Sequence, residues 1–459
     1  MLRLNDVLRR AREQDDGFTI VEVLVAMTVF AIIAMAVATG IVASLSLSHT
    51  SRSREVAIGL AQDAIDRART ATNLFSVVDS TSNPTVGGLQ YTVRQVARWV
   101  PTSGSADACG AGGGPLAYKR VSMTVSWTSS RSQSITMNSM VAPTSSVTAA
   151  NLGTIIVSVA EVDGSGNPGV NVSISPNASN PSGAGAITSA IAQTDASGCT
   201  YALNVKPGRY DVSLAKSGNI DDGTSSGSLG AQTATPSTTV TVQANQTSAA
   251  NFNYDDALTV APQWSDPNAA STTAFTPPTT APVSLRRKTA DYGPYAAGTT
   301  AKVFPYADGY KAVPGTPATC ASVDPENWTT ANGTAVAPRS LAQPAAGTNA
   351  VKAPVQIVTV KLAGKLDNAL TATTTTPNAN SGDPGCATAA SYTFTGLPVG
   401  GTATIALPYG TYSFRSGTVV SIISGTISIT FAAGVPAATT GPGVTTASNK
   451  VMLDPRRAP

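Results

Sequence analysis

Apolar and polar positions follow three rhythms along this 459-residue chain, and each rhythm predicts a different kind of structure. From Phe18 to Val42 (FTIVEVLVAMTVFAIIAMAVATGIV) nearly every side chain is apolar and no proline intervenes. At about 1.5 Å per helical residue, such a run is long enough to cross a bilayer. Further on, Ala57, Leu60, Ala61, Ala64, Ile65 and Ala68 recur at spacings of three and four. Arg52, Arg54, Glu55, Asp63, Asp66, Arg67 and Arg69 take the other faces. That is a one-sided stripe. Together the two stretches predict one helix over 18–72, greasy all round at first and packed on a globular head later. Its weakest point is Gly40, because glycine costs about 1 kcal/mol inside a helix.

Beyond the helix the period falls to two. GGLQYTVRQVARWV (87–100), YKRVSMTVSWTSS (118–130) and SQSITMNSMVAP (132–143) alternate as half-buried strands do. They predict a small antiparallel sheet over 73–150. A second β unit is expected over 151–256, from TIIVSVAEVDGSGNPGVNVSIS (154–175) and TDASGCTYALNVKPGRYDVSLAKSG (194–218). Residues 257–459 are rich in Pro, Thr and Ala, with short strand candidates separated by the stretches 266–282 and 335–354. There ALPYGTYSF and SYTFTGLPVGG echo the turn KPGRY of residues 206–210. Strands spaced in this way favour a second, diverged sandwich. The fold class is therefore α+β: a long membrane and stalk helix, a small antiparallel sheet, and all-β sandwich-like modules.

One residue does not belong in the first rhythm. Glu22 is a carboxylate inside the apolar run, and an ionisable group there reads as functional, with a partner to be found. Upstream, Gly17 ends a short leader carrying Arg3, Arg9, Arg10 and Arg12. These residues, GFTIVEVLVAM from Gly17 to Met27, resemble the N-terminal signal of type IV pilins and pseudopilins. That family has a basic leader ending in Gly, a Phe that becomes the new N-terminus, and Glu at its fifth position; Gly17, Phe18 and Glu22 fill those places. The resemblance implies cleavage between Gly17 and Phe18 by a prepilin peptidase and methylation of the new amine. It implies that the helix first anchors the chain and then lines a filament with other pilin subunits. It also makes the predicted sheet a pilin head, and the region near Gly40 a place for local unwinding. The electrostatics agree, since a terminal ammonium is the natural counter-ion for Glu22 in an apolar core. A secretory signal peptide is excluded by the length of the run, and a plain anchor leaves the three residues unexplained.

The elements V-D-x-x-G-x-P-x-x-x-V at Val162–Val172 and P-G-x-Y at Pro207–Tyr210 are similar to those of prealbumin-like β-sandwich modules, common on surface proteins of monoderm bacteria. Some such modules crosslink through a Lys in the first strand. Here no Lys lies between Thr154 and Ala160.

Composition sets further bounds. Charged residues make up only 12% and the formal net charge is +3, so no footprint for nucleic acid follows. The basic leader keeps the N-terminus cytoplasmic and places the rest at the cell surface. Cys109, Cys199, Cys320 and Cys386 all lie beyond the membrane run, where disulfides are favoured; four cysteines allow three pairings. The scheme preferred here is Cys320 with Cys386, closing the last region on itself, and Cys109 with Cys199, tying the head to the sandwich. A Cys199–Cys386 peptide in non-reducing mapping would overturn it.

Motifs for chemistry are weak. Gly164–Gly169 matches G-x-G-x-x-G but precedes a β-branched strand rather than a helix. Gly223–Gly227 matches G-x-S-x-G without a strand-to-helix elbow, and the single histidine, His49, sits on the stalk. Asp221–Asp222 and Asp255–Asp256 offer either a loose hold on calcium or, as the preferred reading, solvated loop acids. No cofactor, metal site or catalytic activity is expected. Trp99 and Trp127 are assigned to the core. Tyr292, Tyr295, Phe304, Tyr306 and Tyr310, near Arg286, Arg287 and Lys288, form either core and loop packing, the preferred reading, or a patch for a surface or a sugar; a surface or host ligand stands among the expected partners.

The functional expectation is a minor, tip-located or sparsely incorporated, subunit of a type IV pilus. Two alternatives stand beside it: a pseudopilin of a type II-like secretion system, and a membrane-anchored adhesin outside any filament. The expected domains are leader 1–17, membrane and stalk helix 18–72, head 73–150, sandwich 151–256 and a Pro/Thr-rich β region 257–459.

Overall fold

The computed structural model describes residues 19–102, 107–110, 115–128, 132–143, 149–225, 231–267, 269, 273–329, 341–342, 347–421, 427–431, 437–440, 443–447 and 449–456. The chain divides into two compact units. The first holds residues up to Ala97 together with Tyr118–Ala142, and the second holds Arg98–Ala117 and everything from Pro143 onward.

In the first unit a single helix, α1, runs from Ile20 to Arg69. It continues unbroken through Gly40, where an added Cβ would meet nothing within 4 Å. Lone glycine in a strong helical context is tolerated because its neighbours keep the backbone hydrogen bonds. The stripe read from the sequence is the packed one: Ala57, Ala61, Ala64, Ile65 and Ala68 are buried. After a 3₁₀ turn at Leu74–Ser76 come the strands β1 (Ser80–Ser82), β2 (Thr85–Val86), β3 (Leu89–Pro101), β4 (Leu116–Thr128) and β5 (Ser132–Val141). They form one sheet in the order β1-β3-β4-β5, with β2 on β3. The second half of α1 packs on β5, and Arg69 Nε donates to Ser139 Oγ at 3.1 Å. Val121, Met123 and Val125 fill the core, with Tyr91 and Trp127 rings 5.9 Å apart. Lys119 is buried among them and donates from Nζ to the Val77 carbonyl at 2.7 Å.

The ends of β3 and β4, with the loop between them, fall in the second unit. Trp99 is fully buried there, and its backbone exchanges hydrogen bonds with Asp107. A side chain at Gly110, which has φ +85°, would strike Trp99 and Leu116; only glycine fits so close a turn.

The second unit continues with β6 (Gly153–Ala160), β7 (Asn171–Pro176), β8 (Cys199–Val205), β9 (Gly208–Ala215), β10 (Asn219–Asp221), β11 (Ser237–Val242) and β12 (Thr247–Asp256). Two sheets, β10-β12-β6-β8 and β11-β9-β7, enclose Ile155, Val157, Tyr210, Val212, Phe252 and Tyr254. The first and last strands, β6 and β12, pair in parallel. The same device recurs in the next stretch. There β13 (Leu258–Ser265) pairs in parallel with β19 (Thr348–Pro354). Between them lie β14 (Pro282–Arg287), β15 (Ala290–Ala296), β16 (Ala301–Val303), β17 (Tyr310–Pro314) and β18 (Leu341–Ala342). Their sheets are β16-β13-β19 and β15-β14-β17-β18.

A third pair of sheets follows, built from β20 (Gln356–Lys361), β21 (Ala369–Thr374), β22 (Ser391–Phe394), β23 (Thr402–Leu407), β24 (Gly410–Ser421), β25 (Ile427–Phe431), β26 (Ala437–Thr440), β27 (Val444–Ala447) and β28 (Lys450–Leu453). Their orders are β23-β20-β26 and β22-β21-β24-β28-β27, with β25 on β24. So residues 257–459, where the sequence suggests one further sandwich, hold two pairs of sheets. Their buried side chains form one continuous cluster from Leu258 to Leu453. One expectation is corrected: the stretch 335–354 is not only a spacer, because its end is β19. Thr348–Pro354 alternates, and Val351 and Ala353 are fully buried; cross-strand pairing overrides its Pro- and Ala-rich composition.

The echoed turns are structural equivalents. Tyr210 Oη donates to the Lys206 carbonyl and Tyr412 Oη to the Pro408 carbonyl, each at 2.9 Å and four residues back. Gly208 and Gly410 hold φ of +153° and +146°, a conformation that favours glycine.

Candidate functional site

The N-terminal half of α1 carries the candidate site. Gly17 and Phe18 lie outside the described residues. Thr19 is the N-cap, with extended φ and ψ, and its Oγ1 accepts from Glu22 N at 3.2 Å. This polar cap satisfies an amide that has no partner within the helix and fixes where the helix starts. Threonine directly before a periodic apolar run was the signal available for it in the sequence. Glu22 falls in the first helical turn, where the N-terminal end of the helix dipole favours a carboxylate. Its side chain is exposed.

Around Glu22 the helix surface is hydrocarbon in every direction. Ile20 is 80% exposed and Phe30 73%, and Leu24, Met27, Ile32, Ile33, Met35 and Leu47 are exposed with them. Thr28 and Thr39 return their hydroxyls to the carbonyls of Val25 and Ala36, so neither presents an unsatisfied donor to its surroundings. Glu22 is the only Asp, Glu, Lys or Arg between Thr19 and Ser51. The segment is long and apolar enough to cross a membrane. Thus α1 offers an apolar cylinder that nothing among the described residues covers, with one acidic group near its end.

The other candidate residues are placed as follows. Disulfides join Cys109 to Cys199 and Cys320 to Cys386. Both partners of the first belong to the second unit. The Gly164–Gly169 loop leads into β7; an added Cβ at Gly166 would lie 2.0 Å from the Ser197 carbonyl carbon. Its glycine serves the close approach of two loops. In the second motif, Ser225 Oγ donates to the Asp221 carboxylate, and Ser226 and Gly227 lie outside the described residues. His49 is exposed on α1.

The reading of Asp221 and Asp222 as solvated acids is corrected, because both are buried. Asp221 accepts from Thr233 N at 2.6 Å, and burial holds its carboxyl above the usual range. Asp222 accepts from Thr224 N, Thr224 Oγ1 and Asn253 Nδ2. A buried carboxylate needs such donors, and residue order alone does not reveal them. Asp255 accepts from Val162 N at 2.9 Å. Among the described residues no group of three or more His, Cys, Asp or Glu converges.

The aromatic cluster is packed. Tyr292, Tyr306 and Tyr310 lie 5.3–6.3 Å apart between ring centroids. Arg287 covers the Tyr306 ring at 3.8 Å, and burial pushes the Tyr306 phenol upward. Arg286 holds Asp291 and Asp324 through charge-assisted hydrogen bonds of 2.6–2.8 Å.

Comparison with known proteins supports the same end of the chain. Residues 14–38 match the family described as the prokaryotic N-terminal methylation motif. The chain therefore carries the N-terminal signal of the type IV pilin class, and that signal with its apolar helix supports membrane anchoring and a pilus subunit. No curated protein matches the chain. Among solved structures, the Bacillus anthracis TIE protein is 12% identical with a TM-score of 0.19, over 78% of this chain and 70% of that one. A streptococcal ancillary pilin is 10% identical with a TM-score of 0.20, over 63% and 86%. BcpA, the major pilin subunit of Bacillus cereus, is 12% identical with a TM-score of 0.19, over 62% and 94%. Scores this low define no shared fold.

Proposed function

We propose that this chain is a minor subunit of a type IV pilus, matured by a prepilin peptidase between Gly17 and Phe18 and assembled through α1. The observation that carries the proposal is the uncovered apolar cylinder of α1 with Glu22 as its one charge, inside a segment that matches the methylation motif. In the membrane, lipid covers that surface; in a filament, the helices of other subunits replace lipid. Glu22 then pairs with the Phe18 amine of a neighbouring subunit, which offsets the cost of a carboxylate in hydrocarbon.

The minor role follows from bulk. Beyond α1 the chain carries a small sheet and three pairs of sheets, and a head of that size crowds a regular helical lattice. A tip or sparse position leaves it free, and an adhesive role for the β modules fits there. The division into leader 1–17, helix 18–72, head 73–150, sandwich 151–256 and β region 257–459 belongs to the same proposal.

Two measurements test it. N-terminal sequencing of the mature polypeptide is expected to begin at Phe18; any other first residue removes the filament reading. The protein is also expected in sheared surface fibres. Recovery only with the membrane fraction would favour the anchored adhesin or the pseudopilin.

A further inference from the structure

The last pair of sheets ends in two loops that touch. Residues 362–368 follow β20, and residues 396–401 precede β23. Three backbone hydrogen bonds fasten them: Leu362 N to Gly401 O at 3.0 Å, Gly400 N to Asp367 O at 2.8 Å, and Leu397 N to Asn368 O at 2.9 Å. Beneath them, the buried Asp367 carboxylate accepts from Gly364 N at 2.8 Å and Ser416 Oγ at 2.5 Å. Gly400 has φ +57°, and a Cβ there would lie 2.3 Å from Lys365 O, so the crossing is made on glycine. The pair of loops is a built tip.

Its outermost side chains are aliphatic. Leu366 is 73% exposed and Val399 62%. Among the described residues of the second unit, the next most exposed large apolar side chain is Val162, at 39%. Two adjacent exposed aliphatics on a fastened loop pair mark an interaction site more than scattered single ones do.

The charged side chains of this pair of sheets are mostly basic. From Gln356 to Leu453 the sequence holds only two acids, Asp367 and Asp383, against Lys361, Lys365, Arg415 and Lys450. Asp367 is taken up inside the tip. Asp383 accepts from Ser322 Oγ, Gly385 N and Thr411 Oγ1. Lys361 ends β20 beside Gly401, Lys365 sits under Gly400, and both are exposed. Arg415, also exposed, stands two residues before Gly417, which pairs with Ala369 at the same end of the sheet.

We propose that this tip docks on a lipid bilayer bearing anionic headgroups. Leu366 and Val399 enter the headgroup–acyl boundary, while Lys361, Lys365 and Arg415 meet the phosphates. Aliphatic tips gain from hydrocarbon and basic side chains from a negative surface; an acidic polymer would reward only the second. The last sheets then give the chain a membrane contact besides α1, whether or not it enters a filament.

The test uses the full chain held through α1 in phosphatidylcholine nanodiscs, so that its own anchor is already occupied. Binding of these discs is measured to vesicles of phosphatidylcholine alone and of phosphatidylcholine with about one-third phosphatidylglycerol. The anionic vesicles are expected to bind about tenfold more tightly, with the difference shrinking in salt. The double variant Leu366→Ser/Val399→Ser, with unchanged melting, is expected to lose about tenfold in affinity. Lys361→Gln/Lys365→Gln is expected to remove most of the preference for the anionic vesicles. Binding no better than that of empty discs overturns the proposal. So does binding that survives Leu366→Ser/Val399→Ser and disappears only with the lysines, which would assign the tip to a soluble polyanion.

Discussion

The two halves of α1 are one continuous helix and yet obey opposite rules. Between Ile20 and Leu47 the largest and most apolar side chains are the exposed ones. Between Ala57 and Ala68 the buried positions are four alanines and one isoleucine, set against β5. Small residues let a helix approach a sheet closely, and their burial is complete because they project little. Long branched residues spread all round a helix cannot all face one partner, so they need a medium or a ring of neighbours. Each exposed Leu, Ile or Phe leaves about 1.5–3 kcal/mol of burial unclaimed, and many of them on one helix add up to a strong demand for lipid or for other copies. Hydropathy thus reports how much an element needs covering, and the spacing of apolar positions reports whether its own chain does it.

The change that breaks this contrast most completely is Glu22→Leu. It removes the one charge of the uncovered half and leaves its apolar surface larger. Membrane insertion is expected to persist, while incorporation into sheared fibres falls to background by immunoblot. Normal incorporation would show that the carboxylate has no assembly partner. Next in size is Ala61→Leu in the covered half. Ala61 is fully buried, and added methylenes in a packed site cost about 1–3 kcal/mol. The head is expected to melt several degrees lower. Ala38→Leu, in the exposed half, is expected to leave the head's melting unchanged. Equal effects at both positions would erase the distinction between the halves.

Much of this was legible because helix periodicity is a local property. The stripe through Ala57, Leu60, Ala61, Ala64, Ile65 and Ala68 could be drawn before any partner was known, and so could the alternation of β3, β4 and β5. The helix ends moved by only a few residues, to the Thr19 cap and Thr70. What stayed hidden depends on distant partners. The sheet pairing that recruits Thr348–Pro354 as β19 is made with Leu258–Ser265, about ninety residues away. The burial of Asp221 relies on Thr233 and Ser225, and nothing in the sequence marks those as its donors. Tyr210 and Tyr412 are intermediate cases. Their turns are recognisably alike in sequence, but that each hydroxyl caps the carbonyl four residues back is a fact of the folded turn. Gly17 and Phe18 lie outside the described residues, and sequencing of the mature chain is what tests them.

A smaller effect is expected where the chain leaves the covered half. Lys119 Nζ reaches the Val77 carbonyl from inside the sheet, pinning the segment that follows α1. Lys119→Met removes the donor and leaves that carbonyl unsatisfied, which costs about 1–3 kcal/mol. It also removes the desolvation penalty of a buried ammonium, which offsets part of the loss. The net expectation is a loss of about 1 kcal/mol in denaturant unfolding of the full chain in detergent. A more stable variant would mean that the ammonium's desolvation outweighs its bond.

The smallest effect belongs to the outer face of the same half. Asp63 and Arg67 pair at 3.0 Å, but their side chains are 66% and 70% exposed. Asp66 and Arg69 make a looser contact of 3.7 Å one turn on. Water screens such pairs, and holding two long side chains in one geometry costs entropy, so an i,i+4 bridge contributes about 0.3–0.5 kcal/mol. Asp63→Asn is therefore expected to shift the melting of the head by about a degree or less, and added salt to hide even that. The value of the measurement lies in its contrast with Ala61→Leu, two positions away on the same turn. A large loss at Asp63 would mean that the outer face is packed as well. The second half of α1 would then be covered on all sides, and the division between a half that faces its own sheet and a half that waits for company would no longer hold.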